Sequence, residues 1–428
     1  MTSLVTAPSP PASRTARPGR STDPLVRPFA WLFLGIAFFL NADVVLGKAG
    51  LNIPNTVPLA VGVACIGISF LVRHDGPVAL PPSVVALVTM MFLSVTWSSD
   101  QQSTILWLRS DGLIMVGLIA LIVALPTNEV ISVLRNFVRV TLLVTVFAVA
   151  TDPLARTHID PLGQAPELSG WHGFFVHKNV MAAFLLIALA TVLEFDKNVV
   201  TRWASLLAIA VLFAGSSSTT GTSAALVILA VRLWLNVNRR LNSRSSLAWA
   251  ASTAALVVVA GLAIGASLTA IVTAAGKDLT FTGRTDIWTA SWHAIERYPV
   301  LGHGVGGLFT SPPTIETAQV LREIGFPAGH PHSGVLDVAV QLGFVGVAVV
   351  ALLVVSIFRG SFKTLRRSPA IATWALCIIS SIVVVSVGES SFLGSSIAIM
   401  AMLRILTMRE ALKAPDGVDM SANARQLF

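Results

Sequence analysis

Residues 247–272 read LAWAASTAALVVVAGLAIGASLTAIV, a continuous apolar run with no charged side chain. It exceeds the roughly 20 residues that an α-helix needs to cross a hydrocarbon core about 30 Å thick. In that medium every backbone N–H and C=O must be satisfied internally, which leaves helices or closed barrels. Barrel strands alternate apolar and polar positions over about 10 residues, and this run does not alternate. It selects helices.

Working outward from it, hydropathy broken at charged or Gly/Pro-rich stretches predicts spans near 28–46, 56–72, 82–97, 104–125, 130–150, 174–194, 203–215, 222–236, 247–273, 334–357, 370–387 and 391–408. The predicted fold class is therefore an all-α integral membrane protein with about 12 transmembrane helices. Composition agrees: hydrophobic residues make up 54% of the 428 residues and charged residues 12%, with mean hydropathy +0.78. So few charges cannot clothe a water-soluble surface.

The net charge of +8 and pI near 10.3 do not point to nucleic acid, because most basic residues sit in short linkers between apolar runs, where they orient the chain. With linkers assigned alternately to the two sides, one side collects Arg14, Arg17, Arg20, Arg27, Arg73, Lys197, Arg202, Arg239, Arg240, Arg244, Arg359, Lys363, Arg366, Arg367, Arg409 and Lys413. The other has few in its short loops, Lys48 and Arg156 among them. The first side is expected to be cytoplasmic and to hold both termini. The expected organisation is a disordered cytoplasmic tail at 1–26, transmembrane helices one to nine over 27–273, a large extracytoplasmic loop over 274–333 before the tenth span, helices ten to twelve over 334–408, and a cytoplasmic tail at 409–428. The first apolar run lacks a small-residue cleavage site and is expected to remain as a helix. Cys65 and Cys377 lie inside apolar spans and match no disulfide framework or zinc spacing.

The 274–333 segment carries Phe281, Ile287, Trp288, Trp292, Leu308 and Phe309 among polar residues, which is not a disordered composition. Trp288, Trp292 and Ile295 fall at helical spacing and predict an amphipathic helix lying on the bundle or in the membrane interface. Three clusters stand out here: Thr282 to Trp288, Pro299 to Gly306, and His330-Pro331-His332-Ser333-Gly334. Each has an ordinary reading, in which Arg284 pairs with Asp286 or a lipid headgroup, the glycines make turns, and the histidines cap a helix. Together they place a permanently charged guanidinium and a titratable imidazole on one loop. Those are the groups that bind phosphate oxygens and take a proton from a hydroxyl near neutral pH. The spacing of Gly302, Gly304 and Gly306 is a poor match to a nucleotide loop, since no strand precedes it. A metal site from His303, His330 and His332 rests on weak spacing, so none is assigned.

Elsewhere, Gly170-Trp171-His172-Gly173-Phe174-Phe175-Val176-His177-Lys178-Asn179 opens the sixth span. Its Lys178 either snorkels to the interface or binds an anion in an outward cavity. Arg109 and Asp111 lie inside the fourth span, where an isolated charge costs roughly 2.5–3.5 kcal/mol, and are expected to face the bundle interior or a wet cavity. Arg135 and Arg139 read as snorkelling residues. The hydroxyl-rich Ser216 to Thr222 turn caps the next helix or lines a cavity, and Glu389 is either a helix-start acid or the partner of a cavity arginine.

These residues resemble the O-antigen ligase and polymerase superfamily, and within it the exopolysaccharide-production branch. The resemblance runs through Trp97-Ser98-Ser99-Asp100, the His177-Lys178-Asn179 core, Gly283-Arg284 with Ile287-Trp288, the Pro299 to Gly306 turn, His330 to Gly334 with Leu336 and Gly343, and Glu389-Ser390-Ser391. It implies a GT-C-like, metal-independent transferase of the bacterial inner membrane without a cofactor. Its donor would be a saccharide on undecaprenyl pyrophosphate and its acceptor a hydroxyl of a glycan or glycolipid, with polysaccharide-assembly proteins as candidate partners. The resemblance also implies His332 for acceptor activation and Arg284 for the pyrophosphate, with Lys178, Arg109, His177 and His330 binding substrate. Two departures are Ser333, where Asn is common, and the absence of an Arg from the Ser216 to Thr222 turn. The competing class is a transporter or flippase of lipid-linked saccharides, which would place charges at the bilayer midplane and show related halves; no convincing internal repeat is present.

Overall fold

A computed structural model of the chain describes residues 26–41, 56–72, 80–158, 168–175, 177–241, 284–310 and 312–413. The decisive run at 247–273, residues 1–25 and 414–428 of the expected tails, and all of 274–283 lie outside these residues; the last helix runs to Leu412, past its expected end at 408. The helices are α1 (Val26–Asn41), α2 (Thr56–Leu71), α3 (Pro82–Leu93), α4 (Gln101–Ala124), α5 (Thr127–Thr151), α6 (Lys178–Phe195), α7 (Val199–Ser216), α8 (Thr219–Asn238), α9 (Arg284–Arg297), α10 (Ile315–Ile324), α11 (Gly334–Thr364), α12 (Pro369–Val385) and α13 (Ser395–Leu412). One short antiparallel ladder, β1 (Thr157–His158) with β2 (Leu168–Ser169), lies between α5 and α6.

Eleven of the expected spans coincide with described helices. Six of these helices, α4 to α8 and α11, are long and apolar enough to cross a membrane. Four shorter apolar helices lie at Val26–Phe38, Thr56–Leu71, Pro82–Thr96 and Pro369–Val385. The outward faces fit a lipid solvent. On α5, Val140, Leu143 and Phe147 recur at helical spacing and are all more than half exposed, as are Val200, Trp203 and Leu207 on α7. Apolar stripes of that extent mark interaction or membrane surfaces rather than water-facing ones.

Local sequence sets the helix starts. Proline stands at the first turn of α3 and of α12, where its missing N–H costs nothing. Side chains of Asp100, Asn198 and Ser218 cap α4, α7 and α8 by accepting backbone N–H groups. The boundary expected at 174 moves to 178, because Gly173 takes φ +58 and His177 forms the cap. The last helix likewise starts at Ser395 rather than 391, after Gly394 at φ +67. Arg139 does not snorkel: it forms an ion pair with the fully buried carboxylate of Asp196, since a buried acid demands a cation.

Small residues let α2 and α4 approach closely. A Cβ on Gly117 would stand 2.8 Å from the Gly62 carbonyl oxygen and 2.9 Å from Cys65 Cβ, the small-residue contact typical of membrane helices. Gly117→Val should therefore lower the thermal unfolding midpoint in detergent, by an overpacking cost of about 1–3 kcal/mol. Gly67→Ala, with nothing within 4 Å of its added Cβ, should leave it unchanged or raise it slightly.

The expected long loop is built around two helices. Ile287, Ala290 and Ile295 of α9 pack with Val320 and Ile324 of α10, Leu308 of the intervening turn, and Ala339 and Val340 of α11. The amphipathic helix predicted from Trp288, Trp292 and Ile295 is α9: Ile295 is buried and Trp292 is exposed. The turn at 299–306 docks against a break in α11 at Gly343, whose φ is +64 and ψ −169. There the His303 and Gly304 N–H groups donate to the Val340 and Gln341 carbonyls at 2.8 and 2.9 Å, and Phe344 N–H donates to the Pro299 carbonyl at 2.8 Å. Gly302, Gly304 and Gly306 all have positive φ and make the turns.

Candidate functional site

The α12–α13 connection, the first turn of α9, the segment before α11 and the start of α6 meet at Glu389. Its Oε1 accepts from Asn179 Nδ2 at 2.8 Å and from Arg284 Nη2 at 3.2 Å, and Oε2 lies 3.4 Å from His332 Nδ1. The Asn179 carbonyl oxygen accepts in turn from Ser218 Oγ at 3.0 Å, the hydroxyl that also caps α8. The Ser216 to Thr222 turn is thus a cap, as expected, and also fixes which way Asn179 faces.

Arg284 does not pair with Asp286; it reaches across 105 positions to Glu389. Asp286 is one turn into an exposed face, whereas Glu389 is buried enough to require a counter-charge. Burial pushes the Glu389 carboxyl upward, but the hydrogen bond from His332 and the charges of His332, Arg284 and His330 outweigh it and hold the group below its ordinary value. An ionised carboxylate only accepts, so His332 carries its proton on Nδ1 and, when neutral, presents the lone pair of Nε2. His332 has φ +52, a left-handed conformation uncommon for residues with a side chain, though His adopts it more readily than most.

His330 packs its ring against His332, with centroids 4.0 Å apart. Its Nδ1 accepts from the His332 backbone N–H and lies 3.3 Å from Ser390 Oγ. Burial first, then the neighbouring His332 charge, depresses its pKa from 6.5 to about 4, with Glu389 opposing. The unfolded chain therefore protonates first as pH falls: stability that is fully present above pH 6.5 is lost between 6.5 and about 4. His330→Gln should flatten the dependence of the melting temperature on pH across that window.

The cluster borders a cavity of about 570 Å³ lined in part by Asn179, His330, Glu389, Ser390, Trp107 and Asp337. A smaller, almost wholly apolar cavity of about 90 Å³, lined by Phe38, Phe137, Phe184 and Ile382 among others, shares Val180, Ala183, Val385, Ser391, Ser395 and Ser396 with it. The larger one carries the polar chemistry and is the candidate site.

Of the expected site residues, Arg284, His332 and His330 come together. His177 caps α6 through Nδ1, which accepts from Asn179 N–H at 3.1 Å, and its charge is felt at His330. Lys178 opens α6 with its stem against Gly170. Of the expected residues only His330 lines the cavity; Arg284, His332, His177, Lys178 and Arg109 are not among its lining, and Arg109 is exposed and, unlike Arg284 and His332, does not join Glu389. It sits in a π-helical turn, Leu108–Gly112, two positions beyond Trp107. His303 is committed elsewhere, with Nδ1 at 2.8 Å from Ser99 Oγ and 3.0 Å from Glu316 Oε2, and Nε2 at 3.1 Å from the Ala294 carbonyl. Among the described residues no group of three His, Cys, Asp or Glu has a metal-holding arrangement.

Of the two readings of Glu389, helix-start acid and partner of a cavity arginine, the structure shows the second; Asn179 carries no role in the sequence alone. The available signal was a carboxylate and a carboxamide in otherwise apolar surroundings.

A multi-pass membrane protein with a polar cavity at one end of its bundle is the class these features define. Residues 203–351 match the family model described as O-antigen ligase. The exopolysaccharide production protein ExoQ of Rhizobium meliloti (strain 1021) is 24% identical over 295 residues, covering 66% of this chain and 65% of that protein, so this chain spans just under two thirds of that relative's length. Both findings support the O-antigen ligase and ExoQ-like family for this chain.

Proposed function

We propose that this protein transfers or polymerises saccharide from an undecaprenyl-pyrophosphate-linked donor onto a hydroxyl of a glycan or glycolipid, at the extracytoplasmic face of the bacterial inner membrane. The observation that carries this reading is the Glu389-centred cluster of Arg284 and His332 beside a large polar cavity. The adjoining apolar cavity supports a donor with an isoprenoid chain, and the distribution of Lys and Arg supports cytoplasmic termini.

In this scheme Arg284 spends one N–H on Glu389 and keeps others for pyrophosphate oxygens. His332 takes the acceptor proton on Nε2 as the hydroxyl oxygen bonds to the anomeric carbon. The carbon–oxygen bond to pyrophosphate breaks, its electron pair leaves on the pyrophosphate oxygen, and configuration at that carbon inverts. Charge developing on the leaving group is met by fixed cations in a partly dehydrated site, the arrangement that stabilises a transition state most effectively. Lys178 and His177, at the first turn of α6 beside Asn179, are further substrate contacts; Arg109 is left out because it is not among the groups gathered at Glu389.

The test is glycan transfer in vesicles containing the native chain, with an undecaprenyl-pyrophosphate oligosaccharide and EDTA present, beside Arg284→Ala and His332→Ala at equal abundance. Product from the native chain and none from either variant is the expected result, and product size separates ligation from polymerisation. Inserted native protein that makes no product from any such donor overturns the reading, and a product that retains donor configuration overturns the single displacement.

A further inference from the structure

The larger cavity has a second polar wall that the scheme above does not use. Asp337, in the first turn of α11, is 6% exposed and lines the cavity. Its Oδ1 accepts from Gln341 Nε2 at 2.8 Å, and Gln341 Oε1 accepts from the Gly306 N–H at 3.0 Å. The carboxamide is thereby fixed at both ends, and it fixes the carboxylate. Gly306 also abuts Trp107: a Cβ there would stand 3.3 Å from Trp107 Cβ. Trp107 lines the cavity at the last residue before the π-helical turn of α4, an irregularity frequent at functional sites. Phe309, which also lines it, has φ +59, a strained conformation that persists only where the surroundings hold it.

A buried, immobilised carboxylate beside aromatic faces is the chemistry that recognises a sugar: the carboxylate accepts from hydroxyls, and the ring covers apolar C–H faces. Location separates this wall from the donor's side. The residues common to the polar and apolar cavities come from α6, α12, α13 and the segment before α13, whereas Trp107, Phe309, Asp337 and Gln341 line the polar cavity alone. A volume near 570 Å³ falls within the roughly 300–1,000 Å³ of small-ligand sites.

We propose that Trp107, Phe309, Asp337 and Gln341 form the subsite that seats the acceptor saccharide, with Asp337 Oδ2 accepting from one of its hydroxyls. The proposal rests on the transferase reading and assigns the side from which the attacking hydroxyl arrives. Asp337 acts here as a binding residue and Gln341 as a positioning residue.

The experiment uses vesicles with the full chain and two titrated probes: the undecaprenyl-pyrophosphate-linked repeat oligosaccharide as donor, and the same oligosaccharide freed of lipid and labelled at its reducing end as acceptor. Asp337→Asn, which keeps the shape and the oxygen held by Gln341, should raise the acceptor KM about tenfold or more, because a site built for a hydroxyl discriminates strongly when its partner is wrong. Trp107→Ala should raise it several-fold and Trp107→Phe should restore most of the loss. The donor KM should stay within about twofold in all three, the size of change that a distant contact produces. Donor and acceptor constants that move together, or an acceptor constant that does not move, overturn the subsite while leaving the transferase reading intact. No transfer by the native chain overturns that reading itself.

Discussion

Glu389→Ala is expected to reduce transfer by about 10²–10⁴-fold in kcat at unchanged membrane abundance, the range associated with losing a positioned acid–base group. One carboxylate receives Arg284, His332 and Asn179, which come from the start of α9, the segment before α11 and the start of α6. Removing it leaves a half-buried guanidinium, 24% exposed, without its counter-charge, and that guanidinium then draws on the pyrophosphate or on water. It also frees the His332 ring, so the tautomer that presents Nε2 to the acceptor is no longer enforced. Glu389→Gln separates the two losses. The carboxamide still accepts from Arg284 and fills the same space, but it offers no charge to hold a proton on Nδ1. Its kcat should fall by about 10²-fold, and the loss of rate at low pH that comes from protonating Glu389, which ionises below the ordinary carboxylate value in the native site, should be absent. Asn179→Ala, which removes a neutral donor while both charges stay paired, should cost about tenfold or less. Equal activity of Glu389→Ala and the native chain in the vesicle assay would sink the cluster as the catalytic centre.

The sequence made the helices legible because lipid exposure writes them in long apolar runs: α4, α5, α7 and α8 stand within a few residues of where hydropathy placed them, and α11 starts where expected but runs on to Thr364. Boundaries failed where irregular backbone is hidden in apolar sequence. Phe174 and Phe175 read as membrane helix, yet Gly173 and the His177 cap hold them outside it. Of the site, the motif-bearing cationic and imidazole groups Arg284, His330 and His332 were visible. Their mutual contact was not, because it depends on Glu389 closing a gap of 57 residues to His332 and 105 to Arg284. Arg109 shows the opposite error. Its cost in a membrane argued for an interior position, yet it is exposed. A hydropathy profile sums over a window and does not say which face of a helix a single charge takes.

Gly343→Ala should be severely damaging, lowering the amount of folded protein recovered in detergent and abolishing transfer in what remains. Two separate penalties coincide there. At φ +64 and ψ −169 the backbone is in a region essentially reserved for glycine, worth of order 1–3 kcal/mol. A Cβ would also stand 2.2 Å from the Val300 carbonyl oxygen and 2.3 Å from its carbon, which no side-chain adjustment relieves. Relief requires the 299–306 turn to withdraw from α11. That breaks the bonds from His303, Gly304 and Phe344 across the helix break and the Gly306–Gln341 bond with them. Gly394→Ala is the control that divides these costs. Its φ is +67, yet nothing lies within 4 Å of its added Cβ, so it carries backbone strain alone and should lower the melting temperature modestly while retaining measurable transfer. If Gly343→Ala were no worse than Gly394→Ala in recovery and activity, the packing of the turn against the broken helix would contribute nothing beyond local strain, and the cavity wall it supports would have to be held by something else.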